Sequence, residues 1–245
     1  MKCIVVIGTY NEAENVPELL PEILRLGPQY EVIVVDDNSP DGTGRLVSEM
    51  AASEPRLHLV QRPGKLGYAS ACLTGFRTAL ELGADYIVQM DADYSHNPDD
   101  IPRLVEAAND ADMVIGSRYV KGGATQGWPL SRRIISRTAN LVARLLLGLP
   151  IHDCTCGFKC FRRSTLESID FEDVRSNGFA SIYEISYFCH RSGKVIREVP
   201  ILLVDRRAGK SKLSWRMMFE ALSVMLRLRF SSRQPYRLST DKPID

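Results

Sequence analysis

The sequence has no run of 18 or more apolar residues, so no single helix in it is expected to span a bilayer. No segment repeats and no tract is compositionally biased, which excludes solenoids, collagen-like chains and disordered proteins. Two signatures of phosphate-binding loops are also missing. The turn after the first apolar run lacks G-x-G-x-x-G, and G-x-x-x-x-G-K-[S/T] occurs nowhere. Dinucleotide-binding and P-loop readings therefore both fall. The six cysteines include no C-x-x-C pair, so His152, Cys154, Cys156 and Cys160 are not read as a zinc site. With no export signal expected in residues 1–8, those cysteines are expected to be reduced thiols inside the cell.

What remains is an ordinary globular composition. The chain has 245 residues, 44% of them hydrophobic and 25% charged, enough to bury a large core without disulfides or metal. In the first 120 residues, short runs rich in Val and Ile alternate with helix-like segments. Strands are expected at 3–7, 31–35, 57–61, 86–90 and 113–117, and helices at 13–26, 42–52, 68–82 and 99–108. Apolar runs without alternation suit strands covered on both faces, and strand–helix alternation implies an α/β sandwich. The second half predicts a helix ending near Leu147, a cysteine-rich turn at 153–160, and a helix near 182–191. A strand pair or bend around 195–204 and a helix at 213–230 complete it.

In such sheets ligands bind beyond the carboxyl ends of the strands. Every one of the five strand candidates ends there in polar residues: Thr9-Tyr10-Asn11-Glu12, Asp36-Asp37-Asn38-Ser39, Gly64-Lys65-Leu66-Gly67, Asp91-Ala92-Asp93 and Gly116-Ser117-Arg118. Asp91 and Asp93 are the sharpest feature. Two carboxylates one residue apart at a strand end can share a site, and hard oxygen donors suit Mg²⁺ or Mn²⁺. Charge is split unevenly behind a net value of +1. Residues 1–115 hold 8 basic and 19 acidic side chains, net −11, and residues 116–245 hold 23 and 11, net +12. Either the halves attract each other across one fold, or the acidic half holds a cation while the basic half meets phosphates or an anionic membrane.

The order of these motifs resembles that of family 2 glycosyltransferases of the GT-A fold. Three stretches of the second half narrow the likeness. Trp128-Pro129-Leu130-Ser131-Arg132-Arg133, Asp153-Cys154-Thr155-Cys156-Gly157-Phe158-Lys159, and Val204-Asp205-Arg206-Arg207 through Ser211-Lys212 are similar to dolichol-phosphate (polyprenol-phosphate) mannosyltransferases, in the form without transmembrane helices. The likeness covers about residues 3–230. It implies a GT-A-type α/β fold with a mixed central sheet flanked by helices.

It also implies metal-dependent, inverting transfer of mannose from GDP-mannose to a polyprenyl phosphate, at the cytoplasmic face of a membrane. The partners implied are that lipid, the membrane surface and a small membrane-anchor protein, with no nucleic acid. On the same grounds Asp91 and Asp93 bind Mg²⁺ or Mn²⁺, and Thr9, Tyr10, Asn11, Glu12, Asp37, Lys65, Gly67 and Asp91 line the donor site. Arg118, Arg132, Arg206 and Lys212 handle phosphate, with Asp91, Asp93 and Arg118 at the reaction centre. One position departs from the pattern. Ser95 stands where some relatives carry a Gln metal ligand, so water or diphosphate oxygens are expected to complete the shell. Transfer of glucose or another sugar from a UDP-sugar, and a non-catalytic sugar-nucleotide-binding scaffold, are the alternatives.

The expected organisation is a catalytic domain at 1–212, an amphipathic helix at 213–230 and a polar tail at 231–245. On a helical wheel Arg216, Glu220, Ser223 and Arg227 fall within an arc of about 60°, and nearly everything else except Arg229 is apolar. Such a helix is either enclosed by protein or lies in a membrane interface with Trp215 and Phe219 inserted.

Overall fold

The computed structural model describes residues 1–176, 178, 180–205 and 215–230, apart from the side chains of 215–218. One seven-stranded sheet carries the fold, flanked by helices. Its strands are β1 (Cys3–Thr9), β2 (Tyr30–Asp36), β3 (Leu57–Gln61), β4 (Tyr86–Met90), β5 (Met113–Ser117), β7 (Lys159–Arg162) and β8 (Ile196–Pro200). The spatial order is β3-β2-β1-β4-β7-β5-β8. All neighbours run parallel except β7, which is antiparallel to both β4 and β5. The sheet is therefore mixed. Two short parallel strands, β6 (Ala124–Gln126) and β9 (Leu202–Val204), form a second sheet.

The apolar runs explain the centre of the sheet. Residues 3–7 of β1 and 32–36 of β2 are buried, as strands covered by helices on both faces must be. The helices are α1 (Val16–Leu24), α2 (Thr43–Ala51), α3 (Tyr68–Glu81), α4 (Ile101–Ala107), α5 (Leu130–Leu147), α6 (Arg163–Glu167), α7 (Ser181–Arg191) and α8 (Trp215–Phe230). Helix α3 lies close on β1 because it presents Gly75 there. A Cβ on Gly75 would sit 2.2 Å from Val6 Cγ1, so no larger residue fits without moving the helix.

Several expected boundaries shift for local reasons. Helix α1 starts at Val16 rather than residue 13, because the amides of Asn15 and Val16 close a turn onto the Glu12 carbonyl. A 3-10 turn at Pro98–Asp100 precedes α4, its first amide capped by the Asn97 side chain at 3.1 Å. The segment around 195–204 is two strands of different sheets, not a pair. The cysteine-rich turn at 153–160 runs into β7, which wedges between β4 and β5.

That wedge buries Lys159 completely in the middle of the sheet. Its ammonium donates to the Ile182 carbonyl and to Ser186 Oγ, each at 2.7 Å, tying β7 to α7. Burial pushes its pKa down to about 8. Helix α8 joins the same body. It packs against α5 and α7, buries Val224, Met225 and Leu228 in the main core, and pairs Arg227 with Glu184 at 2.8 Å. Its opposite side exposes Phe219, Leu222, Leu226 and Phe230. The expected boundary at 212/213 and the tail at 231–245 lie outside the described residues.

Candidate active site

The strand order reverses direction between β1 and β4, and such a switch point opens a crevice beyond the carboxyl ends of the strands. Asn11, Asn38 and Tyr94, in the loops after β1, β2 and β4, are the only non-glycine residues with positive φ among the described residues, at 64°, 55° and 58°. Asparagine tolerates that region; tyrosine does not, and a strained residue of this kind marks a site the surrounding structure holds in place. Tyr94 lies directly between Asp93 and Ser95. Nothing in the sequence signals its conformation.

Most of the residues expected at the donor site tie the loops after β1, β2 and β3 together. Thr9 Oγ1 donates to Asp36 Oδ1 at 2.9 Å, and the Asn11 amide donates to Ser39 Oγ at 3.0 Å, locking the loop after β1 to the loop after β2. The Glu12 amide donates to Thr43 Oγ1 at 3.0 Å, and its carboxylate accepts from Asn15 at 2.8 Å. Asp37 is buried. One of its oxygens pairs with Arg62, and the other accepts the amides of Leu66 and Gly67 at 3.1 and 3.0 Å. Its carboxylate thus fixes the Gly64–Gly67 loop, so that Lys65 sits 3.8 Å over the Tyr10 ring. Tyr10 and Lys65, both expected at the donor site, meet each other, and Thr9 and Asp37 hold the loops around them.

The carboxylate pair follows β4. Asp91 Oδ1 accepts from the Tyr68 hydroxyl at 2.8 Å, which in turn accepts from Gln89 Nε2 at 2.9 Å. Asp93 Oδ1 accepts the Ser95 amide at 3.1 Å. Behind them His96 is buried, stacked on Phe158 with ring centroids 4.9 Å apart, and its Nδ1 faces the Asp91 amide at 3.4 Å. Burial lowers the His96 pKa despite the nearby carboxylates, so the ring is a neutral support rather than a surface group.

Gly157 leaves the space in front of Asp91 open. A Cβ there would lie 3.1 Å from the Tyr68 hydroxyl and 3.6 Å from both Asp91 carboxylate oxygens. Among the described residues no three His, Cys, Asp or Glu side chains converge as a self-sufficient metal site. Two carboxylates with an open front are the donor set that Mg²⁺ or Mn²⁺ uses when diphosphate oxygens and water supply the remaining ligands, so Asp91 and Asp93 fit such an ion. Cys154, Cys156 and Cys160 are buried free thiols, whereas His152 points outward and pairs with Glu198 at 2.8 Å.

Arg118, at the end of β5, is held rigidly. Its Nε and Nη2 donate to the two oxygens of buried Asp153 at 2.6 and 2.5 Å, and Nη2 also reaches Thr155 Oγ1. Burial works against both charges, but their attraction and hydrogen bonds prevail. The Asp153 carboxyl is held below its usual range and the Arg118 guanidinium above its own.

Trp128 links this ion pair to α5. Arg118 and Arg132 both stack on its ring, at 5.3 and 4.0 Å from the centroid, and Arg132 pairs with Asp205 at 2.7 Å. Trp128 itself is buried, and its Nε1–H has no hydrogen-bond partner among the described residues. Two expected phosphate-handling arginines thus meet around one unsatisfied donor. Arg206 and Lys212 lie outside the described residues. Tyr68, Trp128, Asp153 and Thr155 were not singled out from sequence. The last three sit in motifs whose order was legible but whose pairings depend on the fold.

An α/β sheet with one antiparallel strand and a carboxylate pair at its switch point is the GT-A-type fold of nucleotide-diphospho-sugar transferases. Solved structures agree. Glucosyl-3-phosphoglycerate synthase from Mycobacterium tuberculosis, in complex with Mn²⁺, uridine diphosphate and phosphoglyceric acid, matches with a TM-score of 0.68 at 19% identity over 94% of this chain and 78% of that one. The chain belongs to glycosyl transferase family 2, whose profile matches residues 4–170, and it is a glycosyltransferase. It is 42% identical to the undecaprenyl-phosphate mannosyltransferase of Micrococcus luteus, over 95% of this chain and 96% of that protein. It is also 42% identical to the polyprenol monophosphomannose synthase of Mycolicibacterium smegmatis, over 90% of this chain and 84% of that protein.

Proposed function

We propose that the protein transfers mannose from GDP-mannose to the phosphate of a polyprenyl phosphate, inverting the anomeric centre, with a divalent cation and at a membrane surface. The names of the relatives support the sugar and the lipid. The observation that carries the reading is the connected wall running from Asp91 across Gly157 to the Arg118–Asp153 pair and on to Arg132 at Trp128. It sets carboxylates for a cation on one side and arginines for a phosphate on the other.

In the reaction, an acceptor phosphate oxygen forms a bond to the anomeric carbon as the bond from that carbon to the diphosphate breaks. The electron pair leaves with GDP. The acceptor phosphate is already ionised at neutral pH, so no side chain has to remove a proton. This matches a site in which the one buried histidine, His96, is a neutral support. Arg118 and Arg132 hold the anionic acceptor, Arg118 presented in a fixed geometry by Asp153, and Trp128 Nε1–H gains a phosphate oxygen as its missing partner. Asp91 and Asp93 hold the cation, which when bound spreads positive charge onto the departing diphosphate. Lys65 adds charge at the donor rim. No helix of the described residues is long and apolar enough to cross a membrane, and in this reading the lipid is met at the surface.

Nucleotide binding tests the donor half directly. GDP is expected to bind at least about tenfold more tightly than UDP, with Mn²⁺ or Mg²⁺ strengthening the binding. UDP binding more tightly than GDP overturns the donor assignment in favour of a UDP-sugar enzyme.

A further inference from the structure

Helix α5 carries an apolar row that faces outward among the described residues. Leu130, Ile134, Leu141 and Leu145 are exposed, and at 100° per residue they fall within an arc of about 60°. Beside that row, in an arc of about 40° that starts about 20° from Leu130, lie Arg133, Arg137 and Arg144. Arg132 lies on a different face, turned roughly 100–140° from these three, where it meets Trp128 and Asp205.

The basic row borders a groove of about 540 Å³ between α5, the loop after β5 and His152. Lys121, Arg137 and Arg144 line it, and Gly122 and Gly123 contribute only backbone to its wall. Arg118 forms part of the floor, its guanidinium committed to Asp153 and Thr155. The nearby carboxylate of Glu198 accepts from His152 and from the amides of His152 and Asp153. No carboxylate pairs with Lys121, Arg137 or Arg144 among the described residues. The groove is therefore cationic, large enough for a small ligand, and bounded on one side by exposed leucines.

We propose that this groove binds the headgroup phosphate of an anionic bilayer phospholipid, with the Leu130–Leu145 row seated in the lipid beside it. It is a membrane-recognition site that adjoins the acceptor-phosphate site at Arg118 but uses cations that site does not, Lys121, Arg137 and Arg144, and it rests on the membrane-surface reading above. Charge complementarity selects the occupant. Three cations with no carboxylate partner among the described residues, Arg137 resting only over the Tyr119 ring, lie next to an apolar strip; they match a phosphate attached to acyl chains, whereas a soluble anion has no use for the leucines. The exposed row of α8, which packs against α5, offers further apolar surface.

Sedimentation of the full chain with phosphatidylcholine vesicles, with and without phosphatidylglycerol, tests this. The wild type is expected to bind the anionic vesicles more tightly, and Arg137→Gln/Arg144→Gln to lose about 10–30-fold of that affinity, at roughly 1 kcal/mol per basic residue at a surface. Lys121→Gln, in a loop, is a second variant expected to lose several-fold. Arg25→Gln/Arg45→Gln, which removes the same charge from exposed sites in the acidic half, is expected to change binding less than twofold. In detergent with a short-chain polyprenyl phosphate, the Arg137/Arg144 variant is expected to keep the wild-type acceptor KM.

Equal losses in both double variants overturn the proposal in favour of diffuse charge. A raised acceptor KM in detergent places the acceptor phosphate in the groove instead. Release of the wild type from anionic vesicles by millimolar inorganic phosphate at constant ionic strength assigns the groove to a soluble anion. A wild type that binds neither vesicle contradicts the membrane-surface reading itself, whereas one that binds both vesicles equally contradicts only the groove.

Discussion

Asp93→Ala abolishes sugar transfer, by on the order of 10³-fold or more, and leaves the melting temperature nearly unchanged. The two halves of that result have separate physical grounds. Asp93 is partly exposed in the loop after β4, and its carboxylate accepts the local Ser95 amide two residues on. Its loss opens no cavity in the core. The chemical effect is expected to be large because, in the proposed mechanism, Asp91 and Asp93 are the carboxylates that hold a cation against a diphosphate that gains charge as the sugar departs. Asp93→Asn is the sharper variant. It keeps the shape and an oxygen for the Ser95 amide but removes the charge, so it is expected to fold normally and to lose both activity and the Mn²⁺ enhancement of GDP binding. An Asn variant with wild-type turnover contradicts the metal assignment.

A second large effect concerns alkaline pH. All six cysteines are buried free thiols. Burial pushes Cys3, Cys72, Cys154, Cys156 and Cys189 up to about 12, and Cys160 well above its ordinary value. In the unfolded chain these thiols ionise from about pH 9. Above that pH the unfolded state binds fewer protons than the folded one, so stability falls as pH rises. Each thiol contributes a loss on the order of 1 kcal/mol by pH 10. Lys159 acts in the opposite sense. Its folded pKa of about 8 lies below its ordinary 10.5, so the fold regains stability between those values. One lysine does not offset six thiols. The net loss from pH 8 to pH 10 is on the order of 5 kcal/mol, which lowers the melting temperature by roughly 10 °C or more. Thermal melts in reducing buffer across that range check it, and a flat profile contradicts it.

The first half of the fold was legible because its strands are continuous apolar runs. The expected spans 57–61, 86–90 and 113–117 coincide with β3, β4 and β5. Periodicity reports burial on both faces directly, and the polar residues after each run mark the crevice. Strand β7 was not legible. Lys159-Cys160-Phe161-Arg162 is four residues long and begins and ends in a cation, so it reads as part of a turn. Only the gap between β4 and β5, together with the Ile182 carbonyl and Ser186 hydroxyl waiting on α7, makes a strand with a buried lysine there stable.

The site divides in the same way. The carboxylate pair announces itself by spacing, since Asp91 and Asp93 follow a strand without interruption. The Arg118–Asp153 pair joins residues 35 apart through β5 and the 153–157 turn, a contact that only the assembled sheet creates. Asp37 shows the converse. Its place at the end of β2 suggested ligand recognition, yet its carboxylate meets Arg62 and two amides of the Gly64–Gly67 loop. Type and position were readable, but the partner was not. For the helix at 213–230 the wheel left two environments open; the described part is covered by protein on one side and exposed on the other. Val224 and Leu228 face the core while Phe219 and Phe230 face outward, and the polar arc lies between, with Arg227 reaching Glu184. The Trp215 side chain lies outside the described residues.

Formation of the product lipid tests the central claim most directly. Purified protein is offered GDP-mannose, GDP-glucose, UDP-glucose and UDP-N-acetylglucosamine, each labelled in the sugar, together with a polyprenyl phosphate and Mn²⁺ or Mg²⁺. Label from GDP-mannose alone is expected to pass into the organic phase, to require the polyprenyl phosphate, and to stop with excess chelator. Label that reaches the lipid from a UDP-sugar but not from GDP-mannose, or transfer undiminished by chelator, contradicts the account.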